Sequence, residues 1–359
     1  MNFLIITIHC IPNFGSVFQS YGLVDYLQKQ GYEAKIIDYR PRYYIAGRNA
    51  WKGYISKIIY CLPYFNQMHK YRNFIEKYLP TTLKTYHTYD SLKELQRENA
   101  VFVSGGDQIW NSFHKSGNDD SYKLTFVNNK NKIAYGTSMG RSNYSIKELQ
   151  IISEKIKDFI SIGLREQSTV PMLQSVTDVP VYHAADPVLL KSKNEYLEII
   201  GSKKIIKDRY LLMYLARKST LLDKTIETVA KNRGLKVVHV YGFKKKCKCD
   251  YHLKSTGPEE LLNILYYADF VVSGSFHATL FSILLHKQFC TLLPEEGTNT
   301  RIEDSLEYFG LSNRIIRSEH DIQGLKKDID FRESDKRLDY LVENSKKHLN
   351  EVINKISRL

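Results

Sequence analysis

One stretch of the chain decides the fold: residues 3–39 are FLIITIHCIPNFGSVFQSYGLVDYLQKQGYEAKIIDY. Phe3–Ile8 is a continuous apolar run, which is typical of a strand buried on both faces. Residues 13–16 have the composition of a turn, Val17–Gln30 has helical spacing, and Ala34–Tyr39 is a second predicted strand. The sequence therefore predicts a βαβ unit, the building block of parallel sheets that are covered by helices.

The rest of the chain continues this alternation, which is typical of an α/β fold. A polar, lysine-rich stretch from Lys191 to Asp208 separates two series of strands and helices, and the second series begins near Arg209. We expect two Rossmann-like domains that face a cleft, at residues 1–195 and 205–332, with a charged helical extension at 333–359. A chain of 359 residues suits two domains, because single cores rarely grow so large.

Composition narrows the class of protein. Lys and Arg number 52 against 39 Asp and Glu, and this charge of +13 predicts an anionic partner such as a phosphate, an acidic sugar or a membrane surface. Nucleic acid is disfavoured as a partner, because the lysines are dispersed and no nucleic-acid-binding motif occurs.

Three further features concern localisation. We find no run of about 18 apolar residues, no signal peptide at the start, and five scattered cysteines. These features indicate a cytoplasmic protein.

A helical insertion is expected at residues 48–79, within the N-terminal domain. Two amphipathic helices are predicted there, with Pro63 ending the first. Their apolar faces hold Trp51, Tyr54, Ile55, Ile58, Ile59 and Leu62, and then Met68, Tyr71, Phe74, Ile75 and Tyr78. Such an aromatic and basic pair is suited to peripheral contact with the inner face of a membrane or with a lipid-linked substrate. The alternative is that both faces pack on the sheet.

Polar residues follow two predicted strands of the first domain. Asn13 and Gly15 stand where the first strand turns into its helix, whose backbone N–H groups attract anions. The stretch SGGDQIWN at residues 104–111 directly follows another strand. Its glycines let a ligand approach the backbone, and its polar side chains offer many hydrogen bonds. The candidates from this stretch are Gly106, Asp107, Gln108, Asn111 and Trp110, the last as a sugar-stacking face; the alternative is an ordinary tight turn.

Cationic and ionisable side chains stand at three places where a strand ends or a helix begins. Arg165 ends a strand, where it can grip a phosphate or carboxylate unless it pairs with Glu166 at the surface. Ser275 and His277 lie at the start of a helix, where the histidine can act as an acid or a base unless it is a core residue. Arg301 starts another helix and is a second candidate ligand for an anion.

Together these motifs resemble the polysaccharide pyruvyl transferase family, from Phe3 to Arg314. The resemblance is carried by NFGSVFQ at 13–19, GGDQIWN at 105–111, AYGTS at 134–138, LRE at 164–166, DPVLL at 186–190 and SFHAT at 275–279. No single stretch is specific, whereas their joint order is. The resemblance implies a fold like that of two-domain GT-B glycosyltransferases, phosphoenolpyruvate as the donor, and a pair of sugar hydroxyls as the acceptor.

The resemblance also implies roles for site residues. Arg165 and His277 match donor-site positions, whereas Ser275 stands where some members of the family have an arginine, so Arg301 or a lysine is expected to supply that cation. We expect His277 to donate a proton, Arg165 and Arg301 to bind the phosphate and carboxylate, and Asp107 to orient or deprotonate a hydroxyl. The remaining candidates for substrate binding are Asn13, Gly15, Gln19, Gly106, Gln108, Trp110, Asn111 and Ser275.

The expected function is transfer of pyruvyl from phosphoenolpyruvate to a sugar of a surface polysaccharide, such as a capsule or exopolysaccharide, or of its precursor. The products are a pyruvate ketal and phosphate, with no cofactor and no metal. The N-terminal domain is expected to hold the acceptor, which is soluble or lipid-linked, and the C-terminal domain the donor. Two other interpretations stay open: a GT-B-type glycosyltransferase that uses a nucleotide sugar, and a non-catalytic glycan-binding protein.

Overall fold

The structure, a computed structural model, describes residues 1–46, 54–128, 131–215, 218–240, 242, 245–293 and 300–358. Side chains are described for the same residues except 45–46 and 54–61. The chain divides into two compact units. Unit 1 comprises Met1–Trp51, Ile75–Leu190 and Asp339–Leu359, and unit 2 comprises Lys52–Phe74 and Lys191–Leu338.

Unit 1 is built on a sheet of six described strands. They are β1 (Asn2–Ile6), β2 (Glu33–Ile36), β3 (Val101–Ser104), β4 (Lys132–Thr137), β5 (Phe159–Leu164) and β6 (Val181–His183). The helices in this part of the chain are α1 (Phe14–Lys29), α2 (Arg42–Ala46), α3 (Tyr54–Tyr78), α4 (Tyr89–Leu92), α5 (Ile146–Ile156) and α6 (Thr169–Gln174). The strand order is β2-β1-β3-β4-β5-β6, and neighbouring strands are parallel. The predicted βαβ unit is confirmed as β1-α1-β2.

The core of unit 1 lies on both faces of this sheet. Phe3 and Ile5 pack into one apolar cluster, and Leu4 and Ile6 pack into another on the opposite face. All four side chains are buried, which explains why β1 is continuously apolar rather than alternating.

Unit 2 repeats the design with a second parallel sheet. Its described strands are β7 (Tyr210–Tyr214), β8 (Lys236–Val240), β9 (Tyr251–Leu253), β10 (Phe270–Ser273), β11 (Gln288–Leu292) and β12 (Ile315–Ile316). The helices in this part of the chain are α7 (Lys193–Ile200), α8 (Thr220–Arg233), α9 (Pro258–Tyr267), α10 (Phe276–Leu284), α11 (Thr300–Tyr308), α12 (Glu319–Gly324) and α13 (Arg332–Ile356). The strand order is β12-β11-β10-β7-β8-β9, again with parallel neighbours.

The two units differ from the predicted domains in two places. Residues 52–74, expected as an insertion in the N-terminal domain, belong to unit 2. There the Lys70 ammonium lies 2.7 Å from both carboxylate oxygens of Glu260 in α9. The predicted extension at 333–359 is the helix α13, and its residues from Asp339 onward belong to unit 1. Long-range packing decides both assignments, and no local pattern records it.

The prediction that Pro63 separates two helices is wrong, because α3 continues through it. A proline removes one backbone hydrogen bond, but Tyr71 and Phe74 further along α3 are 2% and 1% exposed and anchor the helix by packing. The predicted residues Trp51, Tyr54, Ile55, Ile58 and Ile59 lie outside the described side chains. For Tyr71 and Phe74 the alternative of burial is the correct one, whereas Leu62 is exposed.

Candidate active site

The Asp107 carboxylate, at the carboxyl edge of the unit 1 sheet, is the centre of one group of predicted site residues. Its Oδ2 accepts a hydrogen bond from the Ser16 hydroxyl at 2.5 Å, and its Oδ1 accepts one from the Gln108 N–H at 2.7 Å. Asn13 caps α1 by accepting the Ser16 N–H at 3.2 Å. Asp107 has a left-handed φ of 73°, a conformation that costs a residue with a side chain about 1–3 kcal/mol. The structure thus brings Asn13, Asp107 and Gln108 together at the start of α1.

Close packing of α1 against the loop after β3 explains the glycine at position 106. A Cβ on Gly106 would lie 2.5 Å from Oε1 of Gln19, and Gly15 is buried in the first turn of α1. Gln19 is fully buried, and its amide donates to the Thr7 hydroxyl at 2.8 Å and the Ser16 carbonyl at 2.9 Å. The prediction that Gln19 binds substrate is therefore wrong, since its amide joins β1 to α1.

Trp110 and Asn111 also point inward. The Trp110 ring is fully buried, and its N–H donates to the Tyr122 carbonyl at 3.1 Å. A ring with no exposed face cannot stack on a sugar, so that prediction is wrong. Asn111 is fully buried as well, with its amide donating to the Gln108 side chain at 2.9 Å and its oxygen accepting the Phe113 N–H at 3.0 Å. Both residues fix the loop that presents Asp107 and Gln108, which corrects the prediction that Asn111 binds substrate.

Arg165 lies among carboxylates inside unit 1. Its side chain is 1% exposed; Nη1 lies 2.7 Å from Asp186 and Nε 3.3 Å from Glu166. Glu166 also accepts the Ser138 hydroxyl at 2.5 Å. Burial alone would lower the pKa of Arg165, but the carboxylates of Asp186, Glu166 and Asp107 outweigh it and raise the pKa above its ordinary value. The guanidinium joins the ends of β4, β5 and β6, which suits a positioning role, and the contact of Arg165 with the donor stays a prediction.

Sequence reasoning missed a buried histidine–aspartate pair, which follows β1 and β2. His9 follows β1, is fully buried, and places Nε2 2.9 Å from Asp38. Burial raises the pKa of Asp38, but hydrogen bonds from His9, Arg40 and Thr85 outweigh it and hold the pKa well below its usual range. The signal that was available is the position of His9, which follows a strand just as Asp107 and Arg165 do.

In unit 2 the turn between β10 and α10 places Ser275 and His277. Ser275 is the N-cap of α10, and its side chain accepts the Ala278 N–H at 3.4 Å. The Ser273 hydroxyl accepts the Ser275 N–H at 3.0 Å, which holds the turn. His277 lies in the first turn of α10 and is 5% exposed. Because the first turn of a helix has free N–H groups and a positive end, it favours an anion beside this imidazole.

Arg301 joins the same place from α11. Its guanidinium lies 5.5 Å from the centre of the Phe276 ring, and this ring lies 5.1 Å from the His277 ring. Arg301 is partly exposed. The structure therefore places Arg301 against Phe276, the residue between Ser275 and His277, a contact that sequence spacing alone did not predict. A cation, a helix N-terminus and an imidazole in one place suit proton transfer to an anionic substrate.

Two further findings concern metals and membranes. Among the residues that the structure describes, no group of three or more His, Cys, Asp or Glu side chains is placed to hold a metal ion. In the same part of the chain, no helix is long and apolar enough to span a membrane.

The two parallel sheets define an α/β fold of the GT-B type, which solved structures of epimerases and glycosyltransferases share. The chain is similar to S. aureus MnaA solved with UDP, at 13% identity and a TM-score of 0.53, over 96% of this chain and 91% of that one. It is similar to a putative UDP-N-acetylglucosamine 2-epimerase from Listeria monocytogenes, at 9% identity and a TM-score of 0.53, over 95% of this chain and 90% of that one. It is also similar to a mutant O-GlcNAc transferase from Thermobaculum terrenum, at 10% identity and a TM-score of 0.51, over 100% of this chain and 67% of that one. Such identities show the fold alone.

The chain belongs to the polysaccharide pyruvyl transferase family, because the model of that family matches residues 13–294. That match covers more than half of the chain and includes α1 with its N-cap Asn13, the Asp107 loop and the Ser275–His277 turn. No curated protein matches the chain in sequence.

Proposed function

We propose that the protein transfers pyruvyl from phosphoenolpyruvate to two hydroxyls of a sugar in a surface polysaccharide or its precursor, with release of phosphate. The observation that carries this proposal is the family match together with the grouping of His277, Ser275 and Arg301 at the start of α10. A donor with a phosphate and a carboxylate needs positive charge, and its double bond needs a proton donor. This grouping supplies both.

The reaction requires three proton movements. Protonation of the donor's methylene carbon makes a methyl group and leaves the neighbouring carbon electron-poor, so one sugar hydroxyl adds to it and loses a proton. The C–O bond to phosphate then breaks, and the second hydroxyl adds to the same carbon. Of the two hydroxyl protons, one replaces the proton that was delivered to carbon and the other leaves with hydrogen phosphate. No oxidant or reductant is consumed.

The proposed roles follow from position. His277 protonates the methylene carbon, and Arg301 with the first turn of α10 binds the phosphate or carboxylate. Asp107 accepts a hydroxyl proton, because its carboxylate is held in place by Ser16 and the Gln108 N–H. Arg165 is a positioning residue that holds the loops around Asp107. Ser275 contributes to donor binding through the backbone of its turn, because its hydroxyl already caps α10 by accepting the Ala278 N–H.

Phosphate release from phosphoenolpyruvate tests the proposal. The full chain is incubated with the donor and a panel of sugar acceptors, and a parallel panel replaces the donor by nucleotide sugars. Acceptor-dependent phosphate release with formation of a ketal is the expected result. Sugar transfer from a nucleotide sugar, without phosphate release from phosphoenolpyruvate, would establish the glycosyltransferase instead. Saccharide binding with no turnover of either donor would establish a non-catalytic protein.

The first prediction is that His277→Gln abolishes turnover while the protein stays folded. Losing a positioned general acid costs about 10²–10⁴ in rate, and glutamine keeps most of the volume of this buried side chain. His320→Gln, at an exposed histidine of unit 2, is the matched control and is expected to keep the wild-type rate. A His277→Gln protein that melts normally and turns over normally would remove His277 from the mechanism.

We further propose that the enzyme works in the cytoplasm and reaches a lipid-linked acceptor at the inner face of the membrane. This proposal is supported by the net charge of +13 and by Leu62 and Phe65 of α3, which are 78% and 64% exposed. Exposed apolar side chains in a basic protein suit reversible contact with an anionic lipid surface.

A further inference from the structure

A cavity of about 560 Å³ opens in unit 1 and contains none of the residues discussed so far. Its lining residues are Tyr43, Tyr89, Lys115, Asn118, Asp119 and Asp120. Tyr43 belongs to α2, after β2, and residues 115–120 follow β3, so the cavity is formed by segments that leave the carboxyl edge of the sheet. Its volume is within the range of about 300–1,000 Å³ that small-molecule sites occupy.

The cavity lies on the Asp107 side of this edge. Burial raises the pKa of Tyr44, the neighbour of Tyr43, and the charge of Asp107 adds to the rise, which places the two groups within electrostatic range. The Ser116 hydroxyl donates to the Gln108 carbonyl at 3.3 Å. The loop that carries Asp107 therefore continues directly into the cavity wall.

The aromatic walls are held in fixed positions. Oδ2 of Asp119 accepts the Tyr43 hydroxyl at 2.9 Å and the Tyr39 hydroxyl at 2.8 Å. The Tyr89 hydroxyl accepts the Thr125 hydroxyl at 3.0 Å, and its ring packs edge-on against a phenylalanine of the core. Two tyrosine rings are thus placed in advance, which reduces the entropy lost when a ligand binds.

Polar atoms remain available beside these rings. One oxygen of Asp120 accepts the Lys155 ammonium at 2.6 Å. Within the described ranges, no hydrogen bond or ion pair reaches the other Asp120 oxygen, the Asn118 side-chain oxygen or the Lys115 ammonium. The first two accept hydrogen bonds and the third donates them. Charge is balanced, because Lys115 and Lys155 offset Asp119 and Asp120.

We propose that this cavity is the acceptor subsite and that it takes a neutral pyranose, an inference that rests on the proposed function. Tyrosine rings present an amphipathic surface to the C–H face of a sugar ring, while carboxylate and amide oxygens accept its hydroxyl protons. An anionic donor does not suit a site that carries two carboxylates without excess positive charge. The two substrates therefore have separate sites of opposite character: this cavity for the sugar, and the start of α10 for the anion.

Saturation-transfer NMR and titration of the full chain with methyl β-D-galactopyranoside and methyl β-D-glucopyranoside test this inference. We expect magnetisation transfer from protein aromatic protons to the C–H protons of at least one sugar. Tyr89→Leu is expected to weaken binding by roughly tenfold or more, the loss that corresponds to one good aromatic contact. Tyr89→Phe keeps the ring and is expected to bind like wild type, as is Tyr340→Leu, which removes an exposed tyrosine elsewhere in unit 1.

A second pair of variants tests the role of the Asp120 carboxylate in sugar binding. Asp120→Asn removes the acceptor charge and is expected to weaken sugar binding, whereas Lys155→Met breaks the same ion pair without touching the cavity and is expected to leave binding unchanged. Binding of phosphoenolpyruvate, measured by calorimetry on all variants, is expected to stay at the wild-type value. If Tyr89→Leu loses sugar binding but wild type never binds phosphoenolpyruvate, the proposed function is refuted. The cavity is then still a saccharide site. No sugar binding by wild type, or equal binding by Tyr89→Leu and Asp120→Asn, overturns the inference.

Discussion

Arg165 joins three loops of unit 1 through carboxylates that water does not reach. Removing one partner of a buried ion pair leaves an uncompensated charge and costs about 3–5 kcal/mol. Because Arg165 contacts Asp186 and Glu166 with a side chain that is 1% exposed, Arg165→Met is expected to lower the free energy of unfolding by that amount. Urea denaturation of the two proteins measures the difference.

Arg209→Met is the matched control for this prediction. Arg209 lies 2.8 Å from Asp269, but its side chain is 70% exposed. Exposed pairs contribute about 0–1 kcal/mol, so this variant is expected to unfold close to wild type. Equal losses in the two variants would show that burial of the Arg165 network adds nothing to stability.

His239 gives the protein a pH-dependent stability. Its ring stacks on His252 with centroids 4.7 Å apart. Burial, together with the charges of His252, Lys246 and Lys245, lowers the pKa of His239 from 6.5 to about 4. Between these two values the unfolded chain binds a proton that the folded chain does not, so stability is complete above the unfolded pKa and decreases as the pH falls through this window.

His239→Gln removes this titration. The fall in unfolding free energy between about pH 7 and about pH 4.5 is expected to be smaller in the variant than in wild type. Urea denaturation at both pH values measures it, and His320→Gln serves as the exposed control. A wild-type protein that is equally stable at both pH values contradicts this account.

At the scale of elements, local signals account for some of the observed boundaries. The helix α9 begins at Pro258 and ends at Tyr267, and the strand β10 follows at Phe270–Ser273. Proline suits the first position of a helix, and Phe270–Ser273 is a short apolar run between two helices, so both signals are local. Pro63 shows the limit of such signals, because packing further along α3 carries the helix through it.

The helix α13 is the element whose role the sequence did not predict. Leu349, Val352, Ile353 and Ile356 pack on the sheet face that also holds Phe3 and Ile5. Ile353 is fully buried, so Ile353→Ala is expected to cost about 2–5 kcal/mol in unfolding free energy. Lys355→Ala, on the exposed side of the same helix, is expected to stay within about 0.5 kcal/mol of wild type. Chemical denaturation compares them, and a small loss in Ile353→Ala would mean that α13 is dispensable to unit 1.

At the scale of the whole molecule, charge predicts association with anionic lipid. Each basic residue near such a surface contributes about 1 kcal/mol, so wild type is expected to co-sediment with phosphatidylglycerol vesicles at low salt and to be released at high salt. Leu62→Ser/Phe65→Ser removes two exposed apolar side chains of α3 and is expected to weaken sedimentation. Leu83→Ser, an exposed residue outside α3, is the control. Wild type that never sediments would make a soluble acceptor the better proposal.

By itself, the sequence determined two series of parallel α/β units and membership of a family, because apolar runs, caps and motif order are properties of neighbouring residues. Only the tertiary structure decided which polar side chains remain open to a ligand. Trp110, Asn111 and Arg165 follow strands just as Asp107 does, and Gln19 lies in α1, yet all four side chains are turned inward and buried. Ser16 and Asp107 meet across 91 residues of sequence. Burial depends on such distant contacts, and for that reason no local pattern distinguishes a binding side chain from a structural one.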